Sequence, residues 1–317
     1  MAQFTRLAAA IAAASLAGAV QAGTMKTGDV EVTFGGEVDF AFEYHDNDNT
    51  NSSSDVYLDT AEFSVEATDG KTTAGFTAEF GTKSGADNAR GNSKGGGDEF
   101  GIDNAFLEYK INDNYTAFAE YDDTQIGLQG KSIMWNDSMH KDAVYDYTDT
   151  MTGVKIAGGP ISSTIYLAQG RSGDDDLQEF GTSVDYSHDM FNAHFGYVSD
   201  AIANVGSPVG AFSFGADATI NNITLIAEYV FLSDEVNNED PTFLQLEANY
   251  EMKGYTFGAA YMTSDEAEAL NSTEDRIALT VIKDITDILW VQAELDFDSA
   301  YSDDDDNSLW LVAGASF

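Results

Sequence analysis

Cysteine is absent from the 317 residues, and proline occurs only three times. The absence of cysteine excludes disulfide scaffolds, thiolate zinc sites and cysteine nucleophiles. The few prolines, beside 29 glycines, 15 tyrosines and 20 phenylalanines, favour long β-strands over helix bundles. After the amino-terminal segment, no stretch approaches the roughly 18 consecutive apolar residues that a membrane-spanning helix needs.

Positive charge is also scarce. The chain has 14 lysines and arginines against 55 aspartates and glutamates, which gives a formal net charge of −41. A chain this acidic does not neutralise nucleic-acid phosphates, so DNA or RNA binding through a basic face is excluded. The 43% apolar and 12% aromatic content is too high for an extended disordered acidic protein.

The first 22 residues have the three-part pattern of a secretory signal peptide. A basic start is followed by the apolar stretch 7–20 and by small residues before Gly23. We expect cleavage between Ala22 and Gly23, which leaves residues 23–317 as one mature domain. The protein is then exported, and it either stays soluble or enters a membrane as strands.

Apolar and polar residues alternate along the mature chain. Val30, Val32 and Phe34 are separated by polar residues, and in the next segment Tyr57 and Phe63 share the apolar face. A period of two places the two sets on opposite faces of a strand. The pattern predicts sixteen strands. They span 30–45, 56–68, 72–82, 100–111, 115–122, 143–156, 161–169, 177–188, 191–199, 210–220, 223–232, 242–252, 255–263, 275–283, 288–297 and 308–317.

The connections alternate between short and long. The short ones have the Asn, Asp and Gly residues that tight hairpins require, whereas the long ones are polar. This pattern is typical of an outer-membrane barrel. The short turns lie at 69–71, 112–114, 157–160, 189–190, 221–222, 253–254 and 284–287. The long links include 46–55, 83–99, 123–142, 233–241, 264–274 and 298–307.

The composition of the two faces distinguishes a membrane barrel from a soluble sandwich. Sixteen segments exceed what one sandwich usually holds. The apolar face is rich in Tyr and Phe near strand ends, and its many alanines would fill a close-packed core poorly. The last segment ends on Phe317, as an outer-membrane insertion signal does. We therefore predict a 16-stranded antiparallel transmembrane β-barrel whose apolar face meets lipid and whose polar face encloses water.

The signal peptide, the strand number, the long loop at 123–142 and the terminal Phe317 resemble the Gram-negative general porin family. The resemblance implies a homotrimer of barrels in the outer membrane, in which the third long loop folds inward to form the constriction. It also implies that the loop from Lys83 to Glu99 reaches a neighbouring subunit. The constriction residues implied by position are Asp122, Asp123, Lys131, Asp137 and Asp142.

The inward face is strongly acidic. Apart from Arg6 in the leader, the chain has only three arginines, so the arginine cluster of general porins cannot be built. An acidic wall of low dielectric accumulates cations and predicts a cation-preferring pore. The alternative is that the acidity keeps the protein soluble in a salty habitat. The predicted wall residues are Glu37, Asp39, Glu62, Glu66, Glu79, Glu108, Glu120, Lys155 and Arg276.

We expect a non-enzymatic channel for passive diffusion of small hydrophilic solutes and ions, without cofactor or metal centre. A second hypothesis is a substrate-specific channel, for example for oligosaccharides, with an aromatic slide. A narrow structural barrel is a third, and sixteen strands are too wide for it. The candidate slide residues are Phe106, Phe118, Trp135, Tyr166, Trp290 and Trp310.

Two acidic runs fall in predicted long loops, at Asp174–Asp176 and Asp303–Asp306. They are interpreted either as solvated loop tips or as holders of divalent cations that bridge to lipopolysaccharide phosphates, because hard cations favour clustered oxygen ligands. Neither run supplies a defined metal cage.

Overall fold

The computed structural model describes most of the chain after residue 22, and its regular elements are all strands. No helix in this described part is long and apolar enough to cross a membrane. The described residues are 23–27, 29–47, 52–81, 99–123, 126–127, 132–134, 148–169, 179–201, 209–233, 241–265, 275–299 and 306–317. The predicted signal peptide lies outside them.

Seventeen strands are present in the described residues. The first nine are β1 (Gly23–Thr27), β2 (Val30–Asn47), β3 (Ser53–Thr68), β4 (Thr72–Gly81), β5 (Glu99–Lys110), β6 (Tyr115–Asp123), β7 (Thr148–Gly158), β8 (Ile161–Ala168) and β9 (Glu179–His188). The others are β10 (Phe191–Val198), β11 (Ala211–Ile220), β12 (Ile223–Leu232), β13 (Thr242–Met252), β14 (Tyr255–Asp265), β15 (Asp275–Asp284), β16 (Leu289–Ser299) and β17 (Asp306–Ser316).

The sixteen strands from β2 to β17 form a closed antiparallel barrel. Each pairs with the next along the chain, and β17 pairs with β2 from Asp306 opposite Asn47 to Ser316 opposite Glu37. The predicted sixteen-stranded barrel is thereby confirmed. Strand β1 pairs with the start of β2, from Thr27 opposite Val30, on the part of the edge that β17 does not reach.

The distribution of polar and apolar side chains in the barrel is the reverse of that in a soluble protein. On β12, Leu225 and Tyr229 are 49% and 41% exposed, while Glu228 between them is 6% exposed. The same alternation of exposed apolar and buried polar residues recurs on β11 and β13. Soluble monomers rarely expose apolar surface of this extent. The outer face is therefore the lipid-facing surface of a membrane barrel.

The tight turns connect neighbouring strands at one end of the barrel. In the β3–β4 turn, Asp69 Oδ1 accepts the backbone N–H groups of Thr72 at 2.6 Å and Lys71 at 2.8 Å. These two donors, that of Thr72 first, lower the pKa of the Asp69 carboxyl. Gly70 supplies the positive φ of 83° that the turn requires. Turn chemistry read from the sequence therefore sets the register of this hairpin.

A β-bulge reverses the alternation in β3. The register of β3 with β2 skips Asp59, so two residues of β3 occupy the space of one. Beyond the bulge, Tyr57 points to the inner face, and its hydroxyl donates to Glu43 Oε2 at 3.2 Å. The prediction that Tyr57 shares the outward face with Phe63 is wrong, because one inserted residue changes the face of everything that follows.

Candidate functional site

A ladder of three glutamates lies on the inner face of β2, β3 and β4. Glu37 is directly opposite Glu62, and Glu62 is directly opposite Glu79. Directly opposed residues have Cβ atoms about 5 Å apart, and like charges in such pairs are destabilising. All three side chains are partly exposed, so solvent reaches them. The ladder therefore concentrates negative charge on an accessible part of the wall.

Lys155 bridges two of the predicted wall carboxylates. Its Nζ lies 2.8 Å from Glu108 Oε1 and 3.2 Å from Glu120 Oε2. The same ammonium lies 4.9 Å from the centroid of the Phe118 ring, within the range of a cation–π interaction. One positive charge is thus shared by two carboxylates, and the group remains net negative.

Arg276 is held in a bidentate ion pair. Its Nε and Nη2 each lie 2.6 Å from an oxygen of Asp298. The arginine is only 5% exposed, and Glu294 and Asp296 lie on the same face of the neighbouring strand β16. A fork-to-fork pair of this kind fixes the guanidinium in place, so Arg276 neutralises part of the wall without adding free positive charge.

Replacing Arg276 with leucine is expected to destabilise the barrel by about 3 kcal/mol, because a largely buried carboxylate loses its partner. Urea unfolding in lipid vesicles measures this change. A second substitution, Asp298→Leu, should recover much of the lost stability, since it removes the uncompensated charge. Equal unfolding midpoints for Arg276→Leu and the unmodified protein would contradict the structural role of this pair.

Of the five described aromatic residues considered for a slide, three are buried, while Phe106 and Trp290 are partly exposed. Trp310, Tyr166 and Phe118 are 0%, 1% and 4% exposed. The indole Nε1 of Trp310 donates to Asp296 Oδ2 at 2.9 Å, which fixes the ring against the wall. The three buried rings cannot offer their faces to a passing sugar. Trp135 lies outside the described residues.

Two described pieces of the third long loop, 126–127 and 132–134, lie against the inner wall. The backbone N–H of Gly127 donates to His194 Nε2 at 3.0 Å. The N–H of Ile133 donates to Glu247 Oε1 at 3.0 Å, and its carbonyl accepts from Gln292 Nε2 at 3.0 Å. These two described segments of the loop are therefore hydrogen-bonded to the inner wall of the barrel.

Of the constriction residues implied by position, Asp122 and Asp123 lie in β6 and not in the loop. Asp122 is opposite Asp149 of β7. The predicted strand 115–122 already includes Asp122, and the observed strand is longer by the single residue Asp123. Lys131, Asp137 and Asp142 lie outside the described residues.

The remaining predicted wall residues occupy the same face. Asp39 is buried at 1% exposure, opposite Gly314 of β17. Glu66 lies opposite Thr33 and Gly75. Within the described ranges, no group of three or more His, Asp or Glu side chains could hold a metal ion.

Phe317 joins the end of β17 to β2. Its backbone N–H donates to the carbonyl of Gly36 at 2.9 Å, and the Gly36 N–H donates back to the Phe317 carbonyl at 2.8 Å. A Cβ at Gly36 would lie 2.9 Å from the Phe317 ring and 2.4 Å from the Glu62 carbonyl oxygen. Glycine at position 36 is thus required for the close approach of three strands.

Solved structures of outer-membrane channels share this architecture. The channel DcaP of Acinetobacter baumannii superimposes with a TM-score of 0.68 at 14% identity, over 94% of this chain and 100% of that one. The anion-selective porin from Comamonas acidovorans gives 0.64 at 13% identity, over 91% and 100%. A loop-deletion mutant of OmpT from Vibrio cholerae gives the same values. No curated protein sequence matches the chain significantly.

These structures are too distant in sequence to show more than the fold. The family model for Gram-negative porins, however, matches residues 7–307, which is nearly the whole chain. The matched region includes every strand from β1 to β16. The chain therefore belongs to the Gram-negative porin family and forms a channel of the outer membrane.

Proposed function

We propose that this porin is a passive diffusion channel for small hydrophilic solutes and ions, and that it prefers cations. The observation that carries the proposal is that carboxylates outnumber basic side chains on the described part of the inner wall. Glu37, Glu62 and Glu79 are partly exposed and directly opposed, whereas Lys155 and Arg276 are engaged by carboxylates. Low-dielectric walls focus this field along the pore.

The fold alone does not set the sign of the selectivity. A structure with the same architecture is named as an anion-selective porin. The sign must therefore come from the side chains of the wall, since ion selectivity follows the rings of charge that line a pore. In this chain those side chains are mainly carboxylates.

The test is the reversal potential of the reconstituted protein in planar bilayers under a KCl gradient. We expect the potential to have the sign of a potassium preference. A chloride preference would overturn the proposed selectivity, while any stable ion current supports the channel itself. Addition of oligosaccharides separates the general pore from a substrate-specific one, because a general pore shows no saturable block.

We also propose that the mature protein is a homotrimer exported by the cleavable leader 1–22, as the family resemblance implies. Three-step single-channel insertions and a crosslinked trimer on a gel are the expected results. The acidic runs at Asp174–Asp176 and Asp303–Asp306 are proposed to contact lipopolysaccharide, in part through divalent cations. Apart from the backbone of Asp306, both runs lie outside the described residues.

A further inference from the structure

Four neighbouring strands, β16, β17, β2 and β3, contain no lysine or arginine. They are adjacent because β17 pairs with β2 and closes the barrel. Elsewhere in the barrel, β7 carries Lys155 and β15 carries Arg276. The four strands also contain Trp290 and Trp310, two of the three tryptophans of the protein. This part of the wall, here called the acidic sector, therefore combines carboxylates with aromatic rings.

Two partly exposed rings flank a small apolar floor in the acidic sector. The floor consists of Ala41, Val312 and the buried ring of Trp310. Trp290 and Tyr57 pack against this floor, and both are partly exposed. Because Trp290 belongs to β16 and Tyr57 to β3, the two rings border the floor from opposite sides. These five residues form the aromatic patch.

A glycine holds the Trp290 ring beside a carboxylate. Gly314 of β17 lies directly opposite both Trp290 of β16 and Asp39 of β2. A Cβ at Gly314 would lie 2.3 Å from the Trp290 ring and 2.1 Å from Asp39 Oδ1. The ring and the carboxylate therefore share the space that a side chain at Gly314 would fill. This packing fixes the orientation of the indole on the wall.

Carboxylates lie on both sides of the aromatic patch. On one side, Glu37 is the next inner-face residue of β2 from Asp39, and it stands opposite Glu62. Glu37 and Glu62 are partly exposed, so a solute can reach them. On the other side, Glu43 Oε2 accepts from the Tyr57 hydroxyl at 3.2 Å. A cation with apolar substituents would gain from the carboxylates and from the faces of the rings together.

Another part of the same wall shows what a ring beside two carboxylates binds. The Lys155 ammonium lies 2.8 Å from Glu108 Oε1, 3.2 Å from Glu120 Oε2 and 4.9 Å from the centroid of the Phe118 ring. This combination of charge and aromatic surface is thus occupied by an alkylammonium group of the protein itself. The strands of the acidic sector supply the same two kinds of group and contribute no ammonium.

We propose that the aromatic patch is a subsite for alkylated ammonium cations on their way through the pore. The rings of Trp290 and Tyr57 contact the alkyl groups around the nitrogen, and the nearby carboxylates neutralise its charge. The site is open to the lumen, so binding is weak enough for the cation to leave again, as conduction requires. The inference rests on the cation-preferring channel proposed above and names the class of cation that it favours.

The experiment measures the potassium current of the reconstituted channel in planar bilayers while choline is added at constant ionic strength. We expect choline to reduce the current to a saturating level. The neutral alcohol in which a tert-butyl group replaces the trimethylammonium group of choline has the same shape and should not do so. Trp290→Leu and Tyr57→Leu should each weaken the choline affinity roughly fivefold, because each removes one cation–π contact at a partly exposed site.

Phe106→Leu is the matched control. Phe106 is a partly exposed ring on the same face of β5 as Glu108, which is engaged by Lys155, so its loss should leave the choline affinity unchanged. A choline effect that does not saturate, or that the neutral alcohol reproduces, would overturn the proposal in the unmodified channel alone. Equal affinities in the unmodified, Trp290→Leu and Tyr57→Leu channels would also overturn it, and Tyr57→Leu decides if Trp290→Leu does not insert. Absence of any current, or a chloride preference, would instead overturn the proposed function.

Discussion

Replacing Glu37, Glu62 and Glu79 together with glutamine is expected to lower the preference of the pore for potassium over chloride roughly fivefold. A unit charge about 4 Å from an ion is worth about 1 kcal/mol in water, and the three carboxylates act on the same stretch of the lumen. The barrel should not be weakened, because directly opposed like charges are relieved by the same change. Reversal potentials under a KCl gradient measure the ratio.

The control carries the same change in net charge at a different place. Asp189, Asp284 and Asp287 are exposed at the tight-turn end of the barrel, away from the glutamate ladder. Their replacement with asparagine should alter the ratio much less. If both triple variants lose the same selectivity, the total charge of the protein and not the ladder determines it, and the ladder has no special role.

Replacing Gly36 with valine is expected to prevent most of the protein molecules from closing into a barrel. The added Cβ would meet the Glu62 carbonyl oxygen at 2.4 Å and the Phe317 ring at 2.9 Å. Overpacking of this kind costs about 1–3 kcal/mol in an ordinary core. At Gly36 the added side chain also separates β17 from β2, so we expect a loss of stability near the upper end of that range. Heat-modifiable gel mobility and urea unfolding in lipid vesicles report the folded fraction.

Gly158→Val is the matched control for this substitution. A Cβ at Gly158 meets no heavy atom within 4 Å, so folding should be nearly unchanged. Phe317→Ala keeps the backbone pair with Gly36 and removes the ring, and we expect slower assembly with a smaller loss of stability. Normal barrel closure in Gly36→Val would show that the contact between β17 and β2 tolerates a side chain at this position. It would also remove the packing argument for Phe317.

The strands of the barrel could be predicted because the two faces differ so strongly in polarity. The segment 223–232 was predicted with the same bounds that β12 has, and Asn221, which begins the preceding turn, has the positive φ of 55° expected of a tight hairpin. Strand β1 was missed, because GTMKT is short and does not alternate. Its formation depends on the free edge of β2.

The orientation and contacts of the inner-face residues were harder to predict from the sequence. A single extra residue at Asp59 reverses Tyr57 without changing the local composition, so no pattern in the sequence indicates it. The inward direction of His194 follows from parity. Its partner Gly127, however, is far away in the chain and becomes a neighbour only when the third loop enters the barrel. Contacts between a loop and a wall depend on tertiary packing, which periodicity does not encode.

The pairing of β17 with β2 also has a consequence for biogenesis. The two strands that form this seam are made early and late in translation, so the cylinder cannot be completed until the ribosome has delivered both. Non-local pairings of this kind form slowly. Until they form, the apolar faces of the unfolded chain are exposed and prone to aggregate. We expect the pairing of β17 with β2 to form last, and we expect a holdase chaperone to bind the unfolded chain until then.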